Sequence, residues 1–146
     1  MEIQENSENI KKVEKLDFKD SKYATGRRKK SIARVWLKKG SGIIQVNGKR
    51  MIDYFKKHNL QIAVFRPLTV TKRENEFDVR CSVKGGGLSG QAGAIVHGLS
   101  RALLLFEPEL KSDLKKEKLT TRDSRAVERK KYGRRKARRS FQFSKR

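Results

Sequence analysis

The sequence predicts an α+β domain with a long, extended basic segment on its C-terminal side. Three observations predict it. Apolar residues alternate with period two in residues 31–38 and 77–84, and they recur with the helical period in residues 88–106. Beyond residue 120 apolar periodicity stops and positive charge takes over. The chain has 146 residues, enough for one ordinary domain with extensions. Its 38 Lys and Arg against 16 Asp and Glu give a net charge of +22. Residues 1–21 hold six acids and four lysines, a net of −2. Residues 22–119 are net +14 and residues 120–146 net +10. The expected organisation is therefore an acidic, disordered leader (1–21), a globular body (22–119) and an extended basic tail (120–146).

The elements follow in order. In "SIARVWLK" Ala33, Val35 and Leu37 share one face, and Ile32, Arg34 and Trp36 the other, as a strand requires. "KGSG", with Gly40 and Gly42, suits a hairpin turn into the short strand "IIQVN". Asn47-Gly48 is a further hairpin signal, but the following stretch lacks alternation. It predicts a helix from about Met51 to Phe65, broken near His58-Asn59 and stopped by Pro67. "PLTVTK" and "FDVRCSVK" then read as strands joined by the polar turn "RENE", with Phe77, Val79, Cys81 and Val83 on one face. Cys81, on the apolar side, is expected to be a packed thiol.

The helix after this strand gathers Leu88, Ala92, Ile95, Leu99, Ala102, Leu103 and Phe106 on one face. Its other face carries Gly90, Gly93, Ala94, His97 and Arg101. Glycine inside a helix costs about 1 kcal/mol relative to alanine. Gly90, Gly93 and Gly98 thus suggest that something outside approaches this backbone closely, beside His97 and Arg101. A short charged helix is expected after Pro108.

The motifs favour binding over catalysis. Gly85 to Gly90 fits G-x-G-x-x-G, but no βαβ repeat or ribose-binding acid follows, so no dinucleotide is expected. Gln91-Ala92 stand where a phosphate-binding Lys-Ser pair would be needed. Two histidines and one cysteine make no zinc set. Ser89 and His97 lie about 12 Å apart on one helix, too far for a nucleophile and its base. Glu74, Glu76 and Asp78 read as a solvated turn. No cofactor, metal or catalytic residue is expected. What remains is the physics of the loop: glycines expose backbone N–H groups, a helix N-terminus favours an anion, and Lys84 adds charge beside Gly85, Gly86 and Gly87.

The charge itself indicates nucleic acid, with an anionic membrane surface as the other partner that such a charge allows. No apolar run approaches the roughly 18 residues of a membrane span. The first 21 residues lack the apolar region of a signal peptide and contain no arginine, so they do not read as a transit peptide either. "GRRKKS" concentrates Arg27, Arg28, Lys29 and Lys30. The last seventeen residues contain nine cations and no acid. With Arg129, they supply Lys130, Lys131, Arg134, Arg135, Lys136, Arg138 and Arg139, interleaved with Tyr132, Phe141 and Phe143. Cations serve phosphates, and aromatic rings can stack on unpaired bases.

"YATGRRKKSIARV", "VKGGGLSGQAGAIVHGLSRAL", "TRDSRAVERKKYGRRKARR" and the terminal "FQFSKR" resemble, in order, the bacterial-type family of the ninth small-subunit ribosomal protein, over about residues 22–146. The resemblance implies a two-layer α/β domain like the second domain of the fifth small-subunit protein, with a left-handed β-α-β crossover. It implies a structural, non-enzymatic role in translation, in the cytoplasm of a bacterium or in a bacterial-type organelle. The implied partners are 16S-type small-subunit rRNA in the subunit head, neighbouring head proteins and P-site tRNA. Arg27 to Lys30 and Gly85 to Gly87 match RNA-facing segments. The intact "SKR" ending implies that Lys145 and Arg146 reach the tRNA anticodon stem-loop. Tyr132 departs from the family pattern, where a smaller residue is common before Gly133. The rivals are a nucleic-acid-processing enzyme and an extraribosomal nucleic-acid binder.

Overall fold

The computed structural model describes residues 18–145. The expected leader falls almost wholly outside them, as does Arg146. Five strands form one sheet: β1 (Lys22–Arg28), β2 (Ser31–Lys39), β3 (Ile44–Val46), β4 (Lys49–Arg50) and β5 (Phe77–Lys84), in the spatial order β1-β2-β5-β3-β4. The helices are α1 (Met51–Tyr54), α2 (His58–Val70), α3 (Leu88–Phe106) and α4 (Lys111–Lys116), the last preceded by a 3-10 turn (Pro108–Leu110). β2 pairs antiparallel with β1 and β5, whereas β3 runs parallel to β5. The connection from β3 to β5 through β4, α1 and α2 is thus a β-α-β unit.

One face of the sheet is dry. Ala33, Val35 and Leu37 of β2 and Phe77, Val79, Cys81 and Val83 of β5 are buried in the predicted alternation. Ile95, Leu99 and Leu103 of α3 and Val64 and Leu68 of α2 complete the core. Burial without a partner pushes the Cys81 thiol up to about 12, so it packs as an apolar group.

Four expectations change. First, "KGSG" is not a hairpin, because β5 lies between β2 and β3. The Asp78 carboxylate accepts the backbone N–H groups of Ser41 and Ile43, each at 2.9 Å, and steers the chain across the start of β5. Second, Pro67 does not stop α2, which continues to Val70, so the first four residues of "PLTVTK" are helical and the last two form the turn that ends it. Pro67 and Leu68 are both buried, and that packing outweighs the lost backbone donor. The Thr71 hydroxyl closes the helix, donating to the carbonyls of Pro67 at 2.9 Å and Leu68 at 3.1 Å. Third, β1 is a full strand that apolar alternation does not reveal. Its core-facing residues are Ala24 and Gly26, small because α3 crosses directly above them.

The fourth change follows from that crossing. The glycine face of α3 receives the chain's own β1, not an outside partner. A Cβ on Gly26 would lie 1.9 Å from the Ala94 carbonyl oxygen and 2.3 Å from the Gly98 nitrogen. One on Gly98 would lie 2.7 Å from a Val35 methyl, and one on Gly93 would lie 2.2 Å from Arg28 Cδ. Gly90, Ala94 and Gly98 are buried, while Leu88, assigned to the core by periodicity, is half exposed at the helix start.

Candidate nucleic-acid interface

The two-residue turn Lys29-Lys30 joins β1 to β2, with Lys29 in the left-handed region at φ 51°. It meets the glycine loop between β5 and α3. Ser31 Oγ donates to the Gly85 carbonyl at 3.0 Å. Gln91 Nε2 donates to the same carbonyl at 3.2 Å, and Tyr54 holds Gln91 by donating to its Oε1 at 2.7 Å.

The three glycines are not equivalent. Gly85 and Gly86 have φ of 74° and 62°, and Cβ atoms there would lie 2.5 Å from the Lys30 carbonyl oxygen and 2.2 Å from Ser31 Oγ. Both are demanded by the fold. Gly87 has ordinary extended backbone, and a Cβ there would meet nothing within 4 Å. It is the N-cap of α3, and among the described residues no side chain caps that helix. The first N–H groups of a 19-residue helix therefore open beside Gly87. Lys29, Lys30 and Lys84 are exposed around this end of the sheet. Amide donors, a positive helix end and three lysines together make a surface fitted to phosphate.

The Asn47-Gly48 turn lies at the same end. Asn47 Oδ1 accepts the Val83 N–H at 2.8 Å, and Asn47 Nδ2 donates to the Val83 carbonyl at 3.1 Å. The side chain extends the β3–β5 ladder by one rung where the β3 backbone has turned away.

Three further candidates are engaged inside the chain. Arg28 pairs with Asp123 at 3.1 Å. Arg101 donates to the Thr25 carbonyl at 2.7 Å. His97 Nδ1 accepts the Arg27 backbone N–H at 3.3 Å. Burial first, and then the charges of Arg101 and Arg122, hold the His97 ring below its ordinary protonation range. These contacts bind α3 to β1 and to the segment after α4. Asp123 is held well below the usual carboxylate range by hydrogen bonds from the Arg125 side chain and backbone.

Between α2, α3 and residues 117–125 lies an open groove of about 710 Å³, lined by Arg27, Arg28, Arg66, His97, Arg122 and Arg125 among others. Arg122 and Arg125 were not singled out in the sequence. They stand apart from the denser basic runs, and only folding brings them beside Arg27.

From residue 121 to 131 the chain forms neither helix nor strand, and a series of turns follows. Its cations are exposed, including Arg129, Lys130, Lys131, Arg134, Arg135, Lys136, Arg138, Arg139 and Lys145. Glu128 pairs with Arg138 at 2.9 Å and Lys131 at 3.7 Å. Such exposed pairs are weak and exchange readily for phosphate. Tyr132 and Phe143 are almost fully exposed, and the Arg135 guanidinium lies 5.9 Å from the Phe141 ring centre. Compared with known families, residues 26–146 match the family model described as ribosomal protein S9/S16.

Proposed function

The chain belongs to the ribosomal protein S9/S16 family, structural proteins of the small ribosomal subunit, and from this premise we propose that it binds 16S-type rRNA in the subunit head through two surfaces. The first is the end of the sheet formed by Lys29, Lys30, Lys84 and Gly85 to Gly87, with the open N-terminus of α3. The second is the basic segment 120–146. Arg28, His97 and Arg101 position these surfaces by tying α3 to β1 and to the start of that segment. The family further supports the left-handed sense of the β-α-β crossover, neighbouring head proteins as partners, and a bacterial or bacterial-type organellar ribosome.

The observation that carries the reading is the uncapped helix end amid exposed lysines, whose one open glycine, Gly87, leaves room for a phosphate. The segment 120–146 carries twelve cations and two acids. Its charge favours RNA by releasing counterions, and its aromatic residues are available to unpaired bases. We also propose that Lys145 and Arg146 reach the P-site tRNA.

The test is co-sedimentation with small subunits at moderate salt, followed by P-site tRNA affinity on subunits carrying a chain that lacks residues 145–146. Binding to subunits should persist in that variant, because ten other cations remain in the segment. The tRNA affinity should fall modestly, alike for different anticodons, and the loss should shrink as salt rises. Failure to co-sediment would overturn the rRNA reading. Unchanged tRNA affinity at low salt would remove the tRNA contact alone.

A further inference from the structure

The sheet face turned away from the helices carries a second constellation. β1, β2 and β5 present three cross-strand rows there: Tyr23, Trp36 and Arg80; Thr25, Arg34 and Ser82; Arg27, Ile32 and Lys84. The Tyr23 and Trp36 rings lie 5.4 Å apart, tilted by 45°. The Arg34 guanidinium stands over both, 5.0 Å from the Trp36 ring centre and 5.8 Å from that of Tyr23. The Arg80 guanidinium is 5.9 Å from the Trp36 ring. Tyr23 is 43 % and Ile32 46 % exposed. Asp78 also lies on this face, but its Oδ1 is occupied by the Ser41 and Ile43 amides. A cross-strand aromatic pair helps to hold a sheet together. That role accounts neither for two guanidinium groups gathered over the rings nor for Ile32 left half exposed on the same face.

We propose that this face is a stacking platform for an unpaired segment of small-subunit rRNA. A base packs against Tyr23 and Trp36, while Arg34 and Arg80 reach the flanking phosphates. Aromatic and guanidinium planes receive unpaired bases whatever their sequence. Charge and continuity select RNA as the occupant. The third row ends in Lys84, beside the glycine loop, and Arg27 leads into the Lys29-Lys30 turn. One RNA can therefore run from the phosphate-binding end of the sheet onto its open face. The proposal rests on the rRNA-binding reading above.

Trp36 is the only tryptophan in the chain, so its emission reports this face and not the basic tail. A short, end-labelled oligoadenylate is titrated into the full chain, with anisotropy reporting binding anywhere and Trp36 emission reporting stacking. Emission should be quenched by the RNA and left unchanged by inorganic polyphosphate, which offers charge without bases. Tyr23→Leu and Arg34→Gln should each shift the quenching midpoint to about five- to tenfold higher RNA concentration, with the thermal melt still cooperative and lowered only by the small loss of one cross-strand contact. Anisotropy without quenching would overturn the platform and leave RNA binding by the tail intact, whereas no anisotropy change at all would count against the underlying reading. Quenching by an acidic polyglutamate as strong as by RNA would overturn the proposal in favour of a protein partner. In small subunits assembled with Tyr23→Leu/Trp36→Leu, base-specific chemical probing should show an unpaired rRNA stretch gaining reactivity. Unaltered reactivity throughout the rRNA would also overturn it.

Discussion

Single atoms decide the contact between Gly26 and Gly98. A methyl group on Gly98 would press on Val35, and one on Gly26 would meet backbone on α3. Overpacking of this kind typically costs about 1–3 kcal/mol, while alanine in place of helical glycine returns about 1 kcal/mol. Gly98→Ala should therefore destabilise modestly and Gly26→Ala more, because side chains can shift and the α3 backbone cannot. Urea unfolding of both variants checks the order, and equal effects would contradict it. His97 gives a second residue-scale expectation. Its proton affinity in the fold is lowered, so the unfolded chain binds more protons as pH falls through the ordinary value near 6.5. Stability rises with pH wherever the unfolded state holds more protons. The fold should thus weaken on acidification across that window and recover above it. In His97→Gln that part of the profile should flatten, as urea melts between neutral and mildly acidic pH would show.

At the scale of elements, the open end of α3 allows stability and binding to be separated. Gly87→Asp introduces a capping carboxylate into open space at a backbone conformation any residue adopts. Capping and the helix dipole together should stabilise the chain by about 0.5 kcal/mol. The same anion should repel an incoming phosphate and weaken rRNA assembly. A higher melting temperature with undiminished subunit incorporation would show that RNA does not use this helix end. Asn47 supports the neighbouring rung. Asn47→Ala leaves the Val83 N–H and carbonyl without these partners and also places alanine at φ 50°. It should cost about 1–3 kcal/mol from the lost partners plus backbone strain that Asn47→Gly would lack, with hydrogen exchange fastest at the end of β5 in both variants. Turn residues that merely link strands cost less.

Across the whole molecule, charge is divided between a folded body that can bind by shape and an extension whose cations lie outside the core. Removing residues 129–146 takes away ten cations and no acid. Each cation that pairs with an RNA phosphate contributes about 0.7–0.9 to the slope of log affinity against log salt. Truncation should therefore flatten that slope by several units, measured as rRNA binding across a salt series, and leave the melting temperature of the body nearly unchanged. A large drop in melting temperature would mean that contacts beyond the Arg28–Asp123 pair tie the extension to the body.

The alternation of β2 and β5, the long helix α3, the packed Cys81 and the concentration of positive charge after residue 120 were all legible in residue order. Each rests on a local period or a local surplus of charge, and physics at that range does not depend on distant partners. The run of glycines between β5 and α3 was legible as a loop for the same reason, and its reading as an anion site is the proposal made above. Strand order was not, because "KGSG" suits a hairpin until Asp78, thirty-seven residues from Ser41, captures its amides. β1 was hidden because its inward residues are small, and they are small only because a helix from far along the chain lies on them. That packing also gives the α3 glycines their role and Gly87 its difference from Gly85 and Gly86. Local sequence determines which elements can form and where charge accumulates. Tertiary structure decides which surfaces remain open, since burial depends on what arrives from elsewhere in the chain.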